Sequence, residues 1–445
     1  SLDVSNNTAL IDLRCFDNQL TYLNMRNGVT EELTTFIATN NPDLTCIETI
    51  DLDYATENWT NANGNIDEGV TFSVVCGSEE QDVWHVATTG SDGGAGTQES
   101  PFATIQTGIN AAGNGNTVHV AAGTYVENID FSCKGISVIG ENQETTIIDG
   151  NQSGTVVLMQ YGSGGACESG NSAIGGDALI SGFTLQNGSG FITPNTHLAG
   201  GGMYITGGNN DGPTLSDLII KNNNARHGGG IYFSNSEVTL NNIIVHGNTA
   251  IYAGAGVYIY KYMTPTFTNV TITDNSLTGS NSQGGGLYNF SSYPIFTNTI
   301  IWGNSAIGAN SIYHNSVNAM TIQYSNIEGG EDNILYYASS EDVNLIWGEG
   351  NIDADPLFID AANGDYRLSD YSPAIGTGTA TGAPTTDIEG NPRPNPEGSN
   401  PDMGAYENAL GSPLAPPVPT NLAATIGNSV VSLSWTGNDY ASSYS

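Results

Sequence analysis

Basic side chains are scarce in this sequence, and several of them lie close together. Lys and Arg account for 8 of the 445 residues, yet Lys221, Arg226 and Lys261 share one stretch where an even distribution would place roughly 0.7 of them. His227 and His246 lie in the same stretch. Side chains of these types can remove a proton or neutralise an anion. We therefore take Lys221, Arg226 and His246 as candidate catalytic residues, although no motif fixes their individual roles.

A repeated sequence motif positions these residues. Between Gly200 and Asn326 a Gly-rich run followed by an apolar residue and Tyr occurs four times. A fifth copy follows, which keeps the apolar residue and Tyr but has lost the Gly residues. The Tyr positions are Tyr204, Tyr232, Tyr258, Tyr288 and Tyr313, with spacings of 28, 26, 30 and 25 residues. A second sequence motif ends in Asn in each repeat, at Asn223, Asn248, Asn275, Asn304 and Asn326. A period of this length indicates stacked structural units that cannot bury their apolar faces alone.

The composition of each repeat predicts strands. Short runs of β-branched and aromatic residues alternate with Gly, Asn and Ser, and none has helical periodicity. Consecutive repeats must stack strand on strand in parallel, roughly 4.8 Å apart, and the usual crossover hand makes the fold an all-β, right-handed parallel β-helix. The residue before each Tyr should point inward and the Tyr outward, while the Asn amides stack along the axis. Lys221 and His246 share one register, so we expect them on adjacent coils facing solvent.

The charge balance limits the partners. Asp and Glu number 45, which gives a net charge of −37. Nucleic acid and anionic membrane surfaces are excluded because both require a basic footprint, and no apolar run is long enough to insert in a membrane. Such acidity suits an extracellular or cell-surface protein in Ca²⁺-containing water. Since the chain starts within a repeat and stops in mid-pattern, we expect it to be part of a longer exported polypeptide.

Cysteines and aspartates give two further hypotheses. Cys46 with Cys76, and Cys133 with Cys167, are candidate disulfides of an exported protein, with the connectivity left open. Candidate Ca²⁺ ligands are Asp92 in a Gly-rich loop and the group Asp353, Asp355 and Asp360. In both places an ordinary acidic turn is the alternative.

The two ends of the chain and the start of the solenoid resemble known families. Residues 1–80 contain LDVSNN, LRCFDN and LNMRNG, which resemble the leucine-rich repeats of exported Bacteroidetes proteins. Residues 82–130 resemble the opening segment of pectate-lyase-like β-helix proteins, and the sequence predicts a helix over residues 102–112, capped by Ser100, that covers the first coil. Residues 411–445 resemble the first strands of a fibronectin type III domain, a truncated β-sandwich.

The segment that follows the repeats resembles a further family. Residues 351–408 contain DPLF, YRL, SPAI and PDMGAYE, and resemble the "choice-of-anchor" region of exported β-helix proteins. We expect this segment to cover the last coil, so that the β-helix domain extends over residues 82–410.

Two functions compete. In the first, an outward column of tyrosines forms a glycan-binding or adhesion surface; its candidate residues are Tyr204, Tyr232, Tyr258, Tyr288, Trp302, Lys261 and His227. In the second, the resemblance to β-helix enzymes implies a Ca²⁺-assisted lyase that cleaves an acidic polysaccharide by β-elimination. Lys221 or His246 would then be the base, Arg226 the partner of the uronate carboxylate, and Tyr232 or Tyr258 the proton donor. The net charge of −37 counts against this alternative.

Overall fold

Parallel strands stacked coil upon coil form most of the molecule. The computed structural model describes residues 1–77, 81–161, 177–193, 197–209, 212–280, 282–306, 311–336, 344–415, 420–427 and 430–436. The repeats form long parallel sheets, as the spacing of the Tyr and Asn residues predicts. The fold is therefore a parallel β-helix with few helices.

One sheet carries the repeated Tyr residues, and we call it the tyrosine sheet. Its strands, in spatial order, are Ile129–Asp130, Val157–Gln160, Met203–Asn209, Ile231–Ser236, Val257–Tyr260, Leu287–Phe290, Ile312–Asn315 and Ile334–Tyr336. Met203 pairs with Ile231, and Ile231 with Val257, so the repeats are in register. These aliphatic side chains are fully buried in the lumen, as predicted.

A second sheet, the long-strand sheet, forms the opposite walls of the coils. Its strands are Val83–Val86, Thr117–Val120, Gly123–Val126, Ser137–Gly140, Thr146–Asp149, Leu179–Gln186, Thr214–Lys221, Thr239–His246, Thr266–Thr273, Ile295–Thr297, Ile300–Trp302, Met320–Gln323, Asn326–Ile327 and Leu345–Trp347. Asn242 and Asn269 lie in the middle of two of these strands with φ of 52° and 54°. Left-handed backbone, which Asn tolerates, bends each strand into two legs and lets the coil close.

A third, short-strand sheet follows the Asn turns. It contains Phe191–Ile192, Leu198–Ala199, Asn224–His227, Thr249–Ala253 and Ser276–Leu277. At the turns, the Asn248 side chain donates to the Ile220 carbonyl and to Asn275 Oδ1, and Asn275 repeats the pattern with Val245 and Asn304. This amide ladder lies inside the wall, where both Asn248 and Asn275 are 0 % exposed.

A helix at Ile105–Ala111 packs Ile105 and Ile109 onto the apolar core at the start of the β-helix. It is shorter than the predicted 102–112 because Phe102 remains extended, with its amide donating to the His85 carbonyl. Thr104, rather than Ser100, is therefore the N-cap, and its side chain accepts from the Thr107 amide.

The N-terminal segment has its own small core. Parallel strands at Leu2–Asp3, Leu23–Asn24, Cys46–Glu48 and Thr71–Ser73, a parallel pair at Asp12–Arg14 and Thr35–Ile37, and a helix at Leu52–Asn58 make up this region. Cys46 and Cys76 form a disulfide. The other pair suggested by the sequence includes Cys167, which lies outside the described residues.

Two antiparallel hairpins lie towards the C-terminus, at Phe358–Asp360 with Asp365–Leu368 and at Thr420–Gly427 with Val430–Thr436. Short 3₁₀ turns occupy Glu331–Asn333 and Ala361–Asn363. Among the described residues, no helix has the length and apolar character needed to cross a membrane.

Candidate functional site

Residues 353–410, which we call the flank segment, lie along the side of the β-helix rather than over its last coil. The column of left-handed Asn residues anchors them. Asn269 donates its side-chain amide to the Asp402 and Gly404 carbonyls, and Asn298 donates to the Thr379 carbonyl. Through these bonds the two amides hold a segment that lies 81 to 135 residues further along the chain.

A buried ion pair completes the anchor. Arg393 donates from Nε to Glu407 at 2.8 Å, with both side chains 0 % exposed, and from Nη1 to Asn242 Oδ1 at 2.6 Å. Arg367 instead makes an exposed pair with Asp365. Burial, followed by the charge of Glu407, raises the pKa of Asp402 to about 7.

A cleft of about 450 Å³ lies between the flank segment and the long-strand sheet. The sheet contributes strand-end residues, including Lys221 and His246, and the flank segment contributes the 3₁₀ turn at Ala361–Asn363 together with Tyr366 and Tyr406. The lining residues are Glu144, Ile147, Thr184, Ile219, Lys221, Asn222, Ile244, His246, Ala361, Ala362, Asn363, Gly364, Tyr366 and Tyr406. Two of the three candidate catalytic residues therefore share one site.

A hydrogen-bonded chain orients His246 in this cleft. Tyr366 donates its hydroxyl proton to Asp274 Oδ2 at 2.9 Å, and the Tyr366 oxygen lies 3.2 Å from His246 Nδ1. Since the single hydroxyl proton is directed to Asp274, His246 Nδ1 must carry the proton of the second bond. The remaining ring nitrogen, Nε2, then has a free lone pair, and no hydrogen-bond partner contacts it among the described residues.

The electrostatics keep this histidine neutral. Burial, reinforced by the positive charge of Lys221, lowers the pKa of His246 to about 4. Burial and the neighbouring Asp274 raise the pKa of Tyr366, so its hydroxyl stays protonated at neutral pH. Chemically, the cleft offers a cation, a neutral acceptor, phenol groups and amides, which can bind a polar ligand or accept a proton from one.

Arg226 does not share this cleft. Lys221 and His246 pair at the ends of adjacent long strands, whereas Arg226 lies beyond the buried Asn turn, on Asn224–His227. Its guanidinium packs over the Tyr252 ring. Arg226 therefore lies apart from the cleft that Lys221 and His246 share, because the turn directs the next strand onto a different face of the coil.

The repeated tyrosines are stacked on one another. Ring centroids are 5.2 Å apart for Tyr204 and Tyr232, 5.1 Å for Tyr232 and Tyr258, and 4.8 Å for Tyr258 and Tyr288. Tyr313 continues the column and Phe191 covers its first face. The outward direction is as predicted, but each ring face is covered by a neighbour, so the column does not present the flat surfaces that sugar stacking requires.

The other candidate binding residues are dispersed. Trp302 packs against the cluster around Ile300 beneath the flank segment. Lys261 lies over the Tyr260 ring, with Nζ 4.9 Å from its centroid. His227 lies beside Arg226, away from the cleft.

Each of the proposed calcium ligands accepts hydrogen bonds from protein amides. Asp92 accepts from the Ala103 and Thr104 amides ahead of the helix. Asp353 and Asp355 accept from the Gly329 and Leu357 amides, and Asp360 accepts from Asn363. Within the described ranges, no group of three or more His, Cys, Asp or Glu residues could hold a metal ion.

Three residues that matter in the cleft are not apparent from the sequence. Tyr366 and Asp274 orient His246, and Asn363 lines the opposite wall. Tyr366 lies 120 residues from His246 in a segment without repeats. No periodic signal could have placed it there.

The family model that matches the sequence agrees with the fold. Residues 201–351 match the family model described as right handed beta helix region. No curated protein matches the sequence. Among solved structures, pectin methylesterase from carrot is 14 % identical, with a TM-score of 0.42 over 61 % of this chain and 82 % of that chain.

Two further structures give similar values. Pectin methylesterase from Yersinia enterocolitica is 10 % identical, with a TM-score of 0.38 over 57 % of this chain and 90 % of that chain. The pectate lyase Pel9A is 13 % identical, with a TM-score of 0.36 over 73 % of this chain and 96 % of that chain. Likeness at this level is no evidence of a shared substrate.

Proposed function

We propose that this protein is a secreted or cell-surface β-helix protein that binds a polysaccharide or cell-surface glycan in the cleft beside the flank segment. The observation that carries the proposal is the convergence of Lys221, His246 and Tyr366 in one cavity of about 450 Å³. That volume lies within the range of about 300–1,000 Å³ typical of small-molecule sites. A role in adhesion follows if the bound glycan belongs to another surface.

The lining suits a saccharide. Tyr366 and Tyr406 supply aromatic contact surface, while Asn222 and Asn363 can donate to and accept from hydroxyl groups. Lys221 and Glu144 lie in the same lining with opposite charges. Because these charges offset each other, the cleft favours a neutral or singly charged sugar over a densely charged polymer.

The location and setting form part of the proposal. The Cys46–Cys76 disulfide and the net charge of −37 support an extracellular protein. Buried Leu23 and Ile47 on adjacent parallel strands support a leucine-rich-repeat-like segment, and its assignment to the exported Bacteroidetes type rests on the sequence resemblance alone. The antiparallel strands Thr420–Gly427 and Val430–Thr436 are compatible with the start of a fibronectin-like domain.

The binding test uses a panel of neutral and acidic oligosaccharides, with affinities measured by isothermal titration calorimetry. Lys221→Ala and Asn363→Ala are each expected to weaken binding about 10-fold, since each removes a hydrogen-bonding group from the cleft. Lys261→Ala is the matched control, because it removes an equal charge outside the cleft. The proposal would be contradicted if Lys261→Ala and Lys221→Ala lost the same affinity for the oligosaccharide. It would also be contradicted if neither cleft variant lost affinity.

A lyase activity is the second candidate, and the neutral, oriented His246 favours it. In this reaction His246 Nε2 takes the proton next to the uronate carboxylate, the C–H electrons form a C=C bond, and the glycosidic C–O bond breaks. The leaving oxygen takes a proton from water, and Lys221 offsets the carboxylate charge. Arg226, Tyr232 and Tyr258 take no part, because they lie outside the cleft lining.

The lyase assay follows unsaturated product by its absorbance at about 235 nm, with alginate, pectin and ulvan. Parallel reactions contain Ca²⁺ or a chelator, because calcium assistance stays a proposal. If product forms steadily and His246→Ala abolishes it, the protein is a lyase, and glycan binding without catalysis is not its function. Saturable binding without product would support the binding function.

A further inference from the structure

Two histidines lie side by side at the start of the long-strand sheet. The strands Val83–Val86 and Thr117–Val120 pair in parallel, with His85 opposite His119. Because the preceding residue, Trp84, is 1 % exposed and packs in the core, alternation along the strand directs His85 outward. The two imidazoles stack, with their centroids 5.8 Å apart and their planes at 23°. We call His85 and His119 the histidine pair.

The histidine pair is open to solvent and its ring nitrogens are uncommitted. His119 is exposed and His85 is half-buried. Within the described ranges, neither ring makes a hydrogen bond. A cavity of about 270 Å³ opens beside the rings, and Gln98 and Glu141 contribute polar groups to its wall. Each neutral imidazole therefore keeps one unused lone pair at the edge of a cavity.

The other four histidines lack this combination. His314 uses both ring nitrogens in hydrogen bonds, and His246 has one ring nitrogen committed to the hydrogen-bonded chain of the cleft. His197 and His227 also lie close together, but Arg226 lies beside both, and its positive charge repels a cation. All six histidines fall in the described ranges. Of these, the histidine pair alone combines two uncommitted rings, access from solvent and a neighbouring cavity.

The electrostatics around the histidine pair favour a cation. Burial, followed by the neighbouring His119, lowers the pKa of His85, so its ring is neutral at neutral pH, and neutral imidazole is the form that ligates metal. The negative charge of Glu99 acts on His85. Glu141, whose Oε2 accepts from the Ala122 amide, places a second carboxylate in the cavity wall. In a chain of net charge −37, a cation is attracted to this place.

We propose that the histidine pair chelates a divalent transition-metal ion of the Zn²⁺ class, with one nitrogen of each imidazole as a ligand and water in the remaining positions. Zn²⁺, Cu²⁺ and Ni²⁺ favour imidazole nitrogen, whereas Ca²⁺ and Mg²⁺ favour oxygen. Zinc–nitrogen bonds of about 2.0–2.1 Å at a tetrahedral angle place the two ligand nitrogens roughly 3.3 Å apart. Rotation of the exposed His119 ring about its side-chain bonds brings the nitrogens to that distance.

A bound ion links the end of a sheet to its neighbouring strand. Val83–Val86 is the terminal strand of the long-strand sheet, and Thr117–Val120 is the strand beside it. A ligand that binds the folded chain and not the unfolded one stabilises the fold. We therefore expect Zn²⁺ to stabilise the first coil. This site lies outside the cleft, and the inference stands whether or not the cleft binds a glycan.

The test titrates zinc chloride into the whole chain by isothermal titration calorimetry, with calcium chloride for comparison, and follows the histidine ring signals by NMR. Zn²⁺ is expected to bind and to shift the ring signals of His85 and His119. His85→Gln and His119→Gln should each weaken Zn²⁺ binding by more than about 10-fold, because even the residues behind a metal ligand cost about 10–100-fold when they are replaced. His197→Gln is the matched control, since His197 belongs to the other pair of neighbouring histidines. Urea unfolding without metal checks that each variant folds, and added Zn²⁺ should raise the midpoint of the parent chain alone.

Each outcome decides the proposal. It is overturned if Zn²⁺ does not bind, or if both His85→Gln and His119→Gln leave the affinity unchanged. A loss in only one of the two variants overturns chelation and leaves a site with a single histidine. Equal affinities for Zn²⁺ and Ca²⁺ overturn the assignment to nitrogen ligands. His246→Ala should leave the zinc titration unaltered, which keeps a failure of the cleft distinguishable from a failure of the histidine pair.

Discussion

The amide ladder at the Asn turns and the anchor of the flank segment both use buried polar groups, but they are built differently. In the ladder, identical residues on successive coils satisfy one another, as Asn248 does with Asn275. In the anchor, unlike residues meet from distant parts of the chain, and Arg393 reaches Asn242 across 151 residues. The ladder stabilises each coil against the next, whereas the anchor creates the cleft.

Removing the buried arginine should have the largest effect. Arg393→Met is expected to lower the free energy of unfolding by about 3–5 kcal/mol, because it leaves Glu407 buried without its partner. Urea unfolding measures the loss, and limited proteolysis within residues 353–410 shows whether the flank segment is released. Arg367→Met is the control, since its pair with Asp365 is exposed and should contribute about 0–1 kcal/mol. Equal losses for the two variants would mean that the anchor is no stronger than a surface pair.

Interrupting the ladder should have a somewhat smaller effect. Asn275→Leu is expected to cost about 3 kcal/mol, since the Val245 and Thr273 carbonyls and the Asn248 amide lose their partner. The loss is read from the same urea unfolding curves. Asn241→Leu, on the long strand Thr239–His246 and only partly buried, serves for comparison and should change stability far less. An unchanged midpoint for Asn275→Leu would show that the ladder does not stabilise the coils.

The pH dependence of stability should have opposite signs for a histidine of the tyrosine sheet and a carboxyl group of the anchor. Burial lowers the pKa of His314, on the tyrosine sheet, to about 4. The unfolded state, with a pKa of about 6.5, therefore binds more protons between these values, and this group makes stability rise with pH from about 4 to 6.5. Asp402 in the anchor has its pKa raised to about 7, so its contribution falls as pH rises from about 4 to 7.

Unfolding curves between these pH values check both signs. His314→Gln should remove a positive slope of the free energy of unfolding against pH, and Asp402→Asn should remove a negative one. Each slope is at most about 1.4 kcal/mol per pH unit. Both variants will lose some stability at every pH. The comparison therefore uses only the slopes of stability against pH. If the two substitutions changed the slope in the same direction, the assigned protonation states would be wrong.

Much of the fold could be predicted because its residues repeat. Met203, Ile231 and Val257 point inward, and the Asn223 to Asn304 column stacks, since a period of about 25 residues fixes which side chains meet. The candidate site was only half predictable. Lys221 and His246 could be paired from their register, but Tyr366 could not, because it comes from a part of the chain without repeats. The direction of the tyrosine column was predicted, but the stacking that covers its ring faces was not.

The sequence by itself determined the coil, its register and the identity of the buried columns, because each repeat carries its own alternation of apolar and polar residues. Only the tertiary structure decided which outer face is covered, where the cleft opens and which cations are left unpaired. These features depend on contacts such as those of Arg393 with Asn242 and of Tyr366 with His246. Such contacts join segments more than a hundred residues apart, and no local pattern in the chain encodes which of them will meet.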